Sequence, residues 1–131
     1  KYMLNVSANQ TTAIFRMTFG EMFENEKCME FAINIMKEVQ AIAKVQGVNN
    51  SETLIDEALE SLKTMTPDGK TSMLQDVEAG RKTEVDMFAG TIIKMGLEHN
   101  IPTPYNKIIK EMLEIIYRQQ EISRSKLLAN C

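Results

Sequence analysis

The spacing of apolar residues between Cys28 and Ala43 constrains this chain more than any other feature. Cys28, Phe31, Ala32, Ile35, Met36, Val39, Ile42 and Ala43 recur at steps of one, three or four, which marks one face of an α-helix. Met29 and Ile33 widen that face, so the helix is expected to pack on more than one side. No segment sustains the period-two alternation that a half-buried strand requires. The chain is therefore expected to be all-α, a bundle of about six helices.

Punctuation residues divide the bundle. Residues 1–17 hold no glycine or proline and are rich in apolar side chains, which suits a largely buried first helix. Thr18–Glu24, with Gly20, reads as a turn, and Asn25 is placed to cap the long helix, with Glu26 in its first turn. Gly47 should stop that helix in the left-handed conformation. Ser51 is expected to cap a third helix, and Pro67-Asp68-Gly69 to force a turn. Ser72 with Gln75 fits the capping-box spacing of a short fourth helix that ends at Gly80. Thr83 is expected to cap the fifth, with Glu84 and Asp86 near its positive end. Gly90 and Gly96 each cost up to about 1 kcal/mol relative to alanine inside a helix, so a neighbouring element or ligand is expected close to both. Thr103-Pro104 opens the last helix, which turns Tyr105, Ile108, Ile109, Met112, Leu113 and Ile116 inward and frays over Ser123–Cys131.

A chain of 131 residues fits one domain, 1–131, burying about two thirds of its unfolded surface. A net charge of −3 offers no electrostatic footprint for nucleic acid or anionic lipid. No run approaches the roughly 18 apolar residues of a membrane span, and the opening KYMLNVSANQ lacks a signal-peptide core, so a cytoplasmic setting is the default. Cys28, Cys131 and the single His99 suggest neither a disulfide framework nor a zinc site. The 10 methionines, with no tryptophan, point to a core of flexible side chains. The chain opens on Lys1 rather than an initiator Met and is expected to be a fragment.

Two stretches exceed what folding alone requires. Lys1, Asn5 and Asn9 are spaced i, i+4, i+8 and form one polar stripe drifting about 40° per step on a regular helix. Asparagines there are poor helix formers and need partners for their amides. The second stretch, Thr71–Asp86, reads TSMLQDVEAGRKTEVD and is poor in apolar positions but dense in side chains that bind oxyanions or protons. The glycines never form G-x-G-x-x-G or a P-loop.

These blocks, with GLEHNIPTPYN at Gly96–Asn106, resemble the C-terminal domain of the ketopantoate reductase (2-dehydropantoate 2-reductase) family. That domain is a helical bundle similar to the C-terminal domain of 6-phosphogluconate dehydrogenase. The resemblance implies an NADPH-dependent 2-oxo acid reductase that makes pantoate for pantothenate and coenzyme A synthesis. Its NADPH-binding Rossmann domain would precede this chain. It further implies that Lys1 is the general acid, that Glu84 helps hold lysine and substrate, and that Asn5, Asn9 and Ser72 bind the substrate. A homodimer is a further expectation from the family. In one departure, Phe19-Gly20 stands where relatives carry Asn-Gly, which removes one polar substrate contact. The alternatives are a relative acting on another 2-oxo acid or an imine, and a helical dimerisation module without chemistry.

Overall fold

The computed structural model describes residues 2–130, and every element among them is helical. Helix α1 comprises Tyr2–Leu4, a π-helical segment Asn5–Asn9 and Gln10–Phe15; α2 is Phe19–Glu24 and α3 is Glu26–Val45. A 3₁₀ turn, Ser51–Thr53, leads into α4, Leu54–Lys63, followed by α5, Ser72–Ala79. Helix α6 comprises a π segment, Asp86–Gly90, and Thr91–His99; α7 is Pro104–Ala129. No helix among the described residues is long and apolar enough to cross a membrane.

The all-helical expectation holds, with α2 where a turn was expected. Thr18 makes it possible: its hydroxyl accepts from Glu21 N–H at 3.3 Å while the Glu21 carboxylate accepts from Thr18 N–H at 2.9 Å, a complete capping box. Gly20 is needed inside this helix because a Cβ there would lie 2.8 Å from Pro67 O. Its N–H donates to that oxygen at 2.7 Å, and Phe19 N–H donates to Gly69 O at 3.2 Å. Phe19-Gly20 is thus a docking point for the α4–α5 turn.

Helix α3 behaves as its sequence requires. Asn25 Oδ1 accepts from Cys28 N–H at 3.1 Å, and Ala32, Ile35 and Met36 are fully buried. At its other end Gly47 has φ +75°, and Val48 and Gly47 N–H return to Ala43 O and Lys44 O at 3.0 and 3.2 Å, the Schellman closure. Helix α1 shares the centre of the bundle, touching α3, α4, α5, α6 and α7.

The start of α7 departs from expectation. Thr103 makes no capping hydrogen bond. Instead the buried carboxylate of Glu38, on α3, accepts from Tyr105 N–H at 2.8 Å and from Asn106 N–H and Nδ2 at 3.1 and 2.7 Å. This grip turns Asn106 into the core and leaves Ile108, expected inward, 50% exposed. Ser51 is likewise buried without capping a helix, and α6 begins with no side-chain cap from Thr83. Gly96 meets the close approach expected of it, since a Cβ would lie 2.6 Å from Ile101 O. At Gly90 no other element comes as close: a Cβ there would meet Asp86 Cβ and Val85 O, both at 3.7 Å, in ordinary contact. The end of α7 stays helical to Ala129 rather than fraying from Ser123, while Cys131 lies outside the described residues.

Removing the Glu38 carboxylate would leave charge-assisted bonds unmade at a buried helix start. Glu38→Ala is expected to lower the unfolding free energy by about 2 kcal/mol, read from urea melts, with Glu38→Gln losing less. A loss below about 0.5 kcal/mol, the range of ordinary surface substitutions, would show that the cap is dispensable.

Candidate functional site

The π segment of α1 sets the geometry of the asparagine pair. A π turn holds more residues than an α turn, so side chains four apart stand more nearly above one another than on a regular helix. Asn9 Nδ2 donates to Asn5 Oδ1 at 2.9 Å, and both residues are half-buried. That bond uses one donor and one acceptor, and whichever way the two amides are assigned, the pair still offers a donor and an acceptor side by side. Two buried side chains of the same helix bond back to its own carbonyls. Ser7 Oγ donates to Met3 O at 2.7 Å and Gln10 Nε2 to Val6 O at 2.6 Å.

The second element is the start of α6, whose π segment packs on that of α1. Glu84 precedes this helix, and its backbone carbonyl accepts from Met87 and Phe88 N–H at 3.0 and 3.2 Å. The Tyr2 hydroxyl donates to Met87 O at 3.0 Å and lies 3.4 Å from Phe88 O in this segment. The Tyr2 ring meets Phe88 edge-on, 5.9 Å between centroids. Desolvation against α6 raises the Tyr2 phenol above its ordinary value, partly offset by a hydrogen bond with Thr91. The opening of α1 is therefore held against the opening of α6. Lys1, the expected general acid, lies outside the described residues. The Glu84 side chain is exposed. Asp86, the first residue of α6, pairs with Lys110 of α7 at 3.5 Å.

The third element is α5, and here the expected cap is displaced by one residue. Thr71, not Ser72, is the N-cap: its Oγ1 accepts from Leu74 N–H at 3.1 Å. Thr71 sits at 5% exposure against α1, where its hydroxyl lies 2.9 Å from that of Thr12. Ser72 is the first residue of the helix and is exposed, so its hydroxyl is not spent on capping. Gly80 ends α5 at φ +72° as expected.

The helix that Ser72 opens and the helix that Glu84 precedes thus both flank the π segment that carries Asn5 and Asn9. No hydrogen bond among the described residues joins Ser72 or Glu84 to that pair. These four residues line neither of two hollows of the fold. One, about 400 Å³, lies beside Arg16, Gly80 and Arg124. Another, about 250 Å³ and apolar, lies beside Tyr2, Met3, Ile92 and Met95. Sequence reasoning missed Tyr2, Thr12 and Thr71; Thr71 carried a legible signal, because a threonine before a helical serine competes with it as cap.

Residues 1–116 match the family described as Ketopantoate reductase PanE/ApbA C terminal. The chain belongs to this family. It is 32% identical over 115 residues to a 2-dehydropantoate 2-reductase of Archaeoglobus fulgidus, covering 86% of this chain and 37% of that protein. The Salmonella typhimurium enzyme of the same name is 30% identical over 126 residues, 95% of this chain and 40% of that protein. Among solved structures, a dimeric ketopantoate reductase from Staphylococcus aureus superposes with a TM-score of 0.82 at 25% identity, over 91% of this chain and 42% of that one. A family member from Ralstonia eutropha JMP134 gives 0.82 at 26% identity, over 92% and 40%. A D-mandelate dehydrogenase shares the fold at 20% identity, with a TM-score of 0.82 over 92% of this chain and 67% of that one. The chain thus spans about two fifths of the length of the reductases it matches.

The raised Tyr2 phenol gives a pH dependence of stability. A group that holds its proton more tightly when folded stabilises the fold below its unfolded pKa, here 10.0, and loses that contribution as pH rises through the folded value. The stability difference between the wild type and Tyr2→Phe is therefore expected to narrow above about pH 10. Urea melts of both proteins between about pH 8 and pH 11 measure it, and a difference constant across that range would contradict the assignment.

Proposed function

We propose that this chain is the substrate-binding and catalytic domain of an NADPH-dependent 2-oxo acid reductase that converts 2-dehydropantoate to pantoate, feeding pantothenate and coenzyme A synthesis. The observation that carries the reading is the meeting of α5 and α6 on the asparagine-bearing π segment of α1, in a member of this family. The glycines of this chain stand singly and build no dinucleotide cradle, so NADPH belongs to a Rossmann domain outside this chain. When bound there, it supplies hydride to the substrate C2.

The residues of this chain handle charge and proton. Reduction of a ketone builds negative charge on oxygen, which the Lys1 ammonium stabilises and then protonates. Glu84 supplies the carboxylate that helps hold the lysine and the substrate in place. Ser72 opens α5, where free N–H groups and the helix dipole favour the substrate carboxylate. Asn5 and Asn9, already bonded to one another, offer a fixed donor and acceptor to the rest of the substrate. The setting is cytoplasmic, and the exposed apolar side chains Ile108 and Ile115 along α7 give a homodimer a surface to use.

In the full-length enzyme, Lys1→Ala is expected to lower kcat by at least about two orders of magnitude while NADPH affinity stays within about twofold. An unchanged kcat removes Lys1 from the mechanism. The 131-residue chain alone is expected to show no ketopantoate-dependent oxidation of NADPH. A panel of 2-oxo acids and imines assayed with the full-length enzyme fixes the substrate.

A further inference from the structure

We infer that Thr12 and Thr71 are positioning residues that set where the Ser72 hydroxyl stands relative to Asn9, and so govern how tightly the 2-oxo acid is held. The inference rests on the reading of Asn9 and Ser72 as substrate-binding residues. Thr12 is fully buried and Thr71 is 5% exposed, so neither touches a ligand at an open face. They join α1 and α5, which pack directly on one another.

The direction of every proton in the link follows from donor and acceptor counting. Asn9 O is a carbonyl and only accepts, so Thr12 Oγ1, at 3.1 Å, spends its single hydrogen there. The Thr12 oxygen can then only accept from Thr71 Oγ1, 2.9 Å away. The Thr71 oxygen in turn accepts from Leu74 N–H at 3.1 Å. The relay runs Leu74 N–H to Thr71 to Thr12 to Asn9 O with no group left unused. It starts in the first turn of α5, beside Ser72, and ends on the backbone of Asn9. Apolar contacts resist separation of two helices but are non-directional, so they permit small slides along the axis. Hydrogen bonds lose strength steeply with misalignment, so this buried relay opposes such a slide.

Threonine-to-valine substitution keeps shape and removes the hydroxyl, which makes the test specific. In the full-length enzyme, Thr12→Val is expected to raise KM for the 2-oxo acid about tenfold, with kcat within about threefold and KM for NADPH unchanged. Thr12→Ser, which keeps the hydroxyl, is expected to restore KM to within about threefold of wild type. Should Thr12→Val fail to melt cooperatively, Thr12→Ala, which leaves Thr71 in place as the cap on Leu74 N–H, takes its place with the same expectation. An unchanged KM in the folded variant overturns the inference, as does an equal worsening of kcat and both KM values, which marks general loosening. Asn9→Ala and Ser72→Ala, measured alongside, separate the two claims. If they raise KM and Thr12→Val does not, only the relay fails; if they too leave KM unchanged, the substrate-binding reading itself is wrong.

Discussion

A helix surrounded by other helices must still satisfy every polar group it carries, and α1 is under that constraint along most of its length. Five helices touch it, yet Ser7, Gln10, Thr11 and Thr12 are all completely buried on it. A buried hydroxyl or amide without a partner costs about 1–3 kcal/mol. The chain meets most of this demand within α1 itself, through bonds from Ser7, Gln10 and Thr12 to carbonyls three or four residues back. Gln10 Oε1 and Thr11 Oγ1 remain without a partner among the described residues. Polar side chains bonded to their own helix travel with it as a unit. The helix can therefore sit in an apolar bundle while presenting Asn5 and Asn9 on its remaining face.

The neighbours of α1 are fixed to it by a few directional contacts. Tyr2 anchors one end to α6 through the Met87 carbonyl, and the Thr12–Thr71 pair anchors the other half to α5. On the far side Glu38 grips the start of α7 from α3, supplying negative charge where a helix dipole favours it. Each device joins residues distant in sequence, and Glu38 takes the place of the local cap that the sequence offered at Thr103. Local capping fixes where a helix begins. A cap drawn from another helix fixes that and also where the helix stands.

Much of the fold was open to reading from residue types alone. The apolar spacing through α3, the Asn25 cap, the Gly47 and Gly80 stops and the crowding at Gly96 all depend on interactions within a few residues, and all appear as expected. The failures share one cause. Thr18–Glu24 carries a local capping box, but the docking of this helix depends on the Pro67 and Gly69 carbonyls beside it, and Ile108 turned outward because Glu38 holds Asn106 inward. No local window contains those distant partners.

The site divides along the same line. The sequence by itself determined which side chains could do the chemistry and that Asn5 and Asn9 share a helix stripe, because residue identity and helical period are local properties. It also carried the family pattern in Thr71–Asp86. Only the tertiary structure decided that the asparagines sit on a π segment and bond to each other, that Thr71 meets Thr12 across two helices, and that α5 and α6 meet on α1. Where two helices come to rest depends on side chains contributed by both, and no window along one chain segment contains both partners.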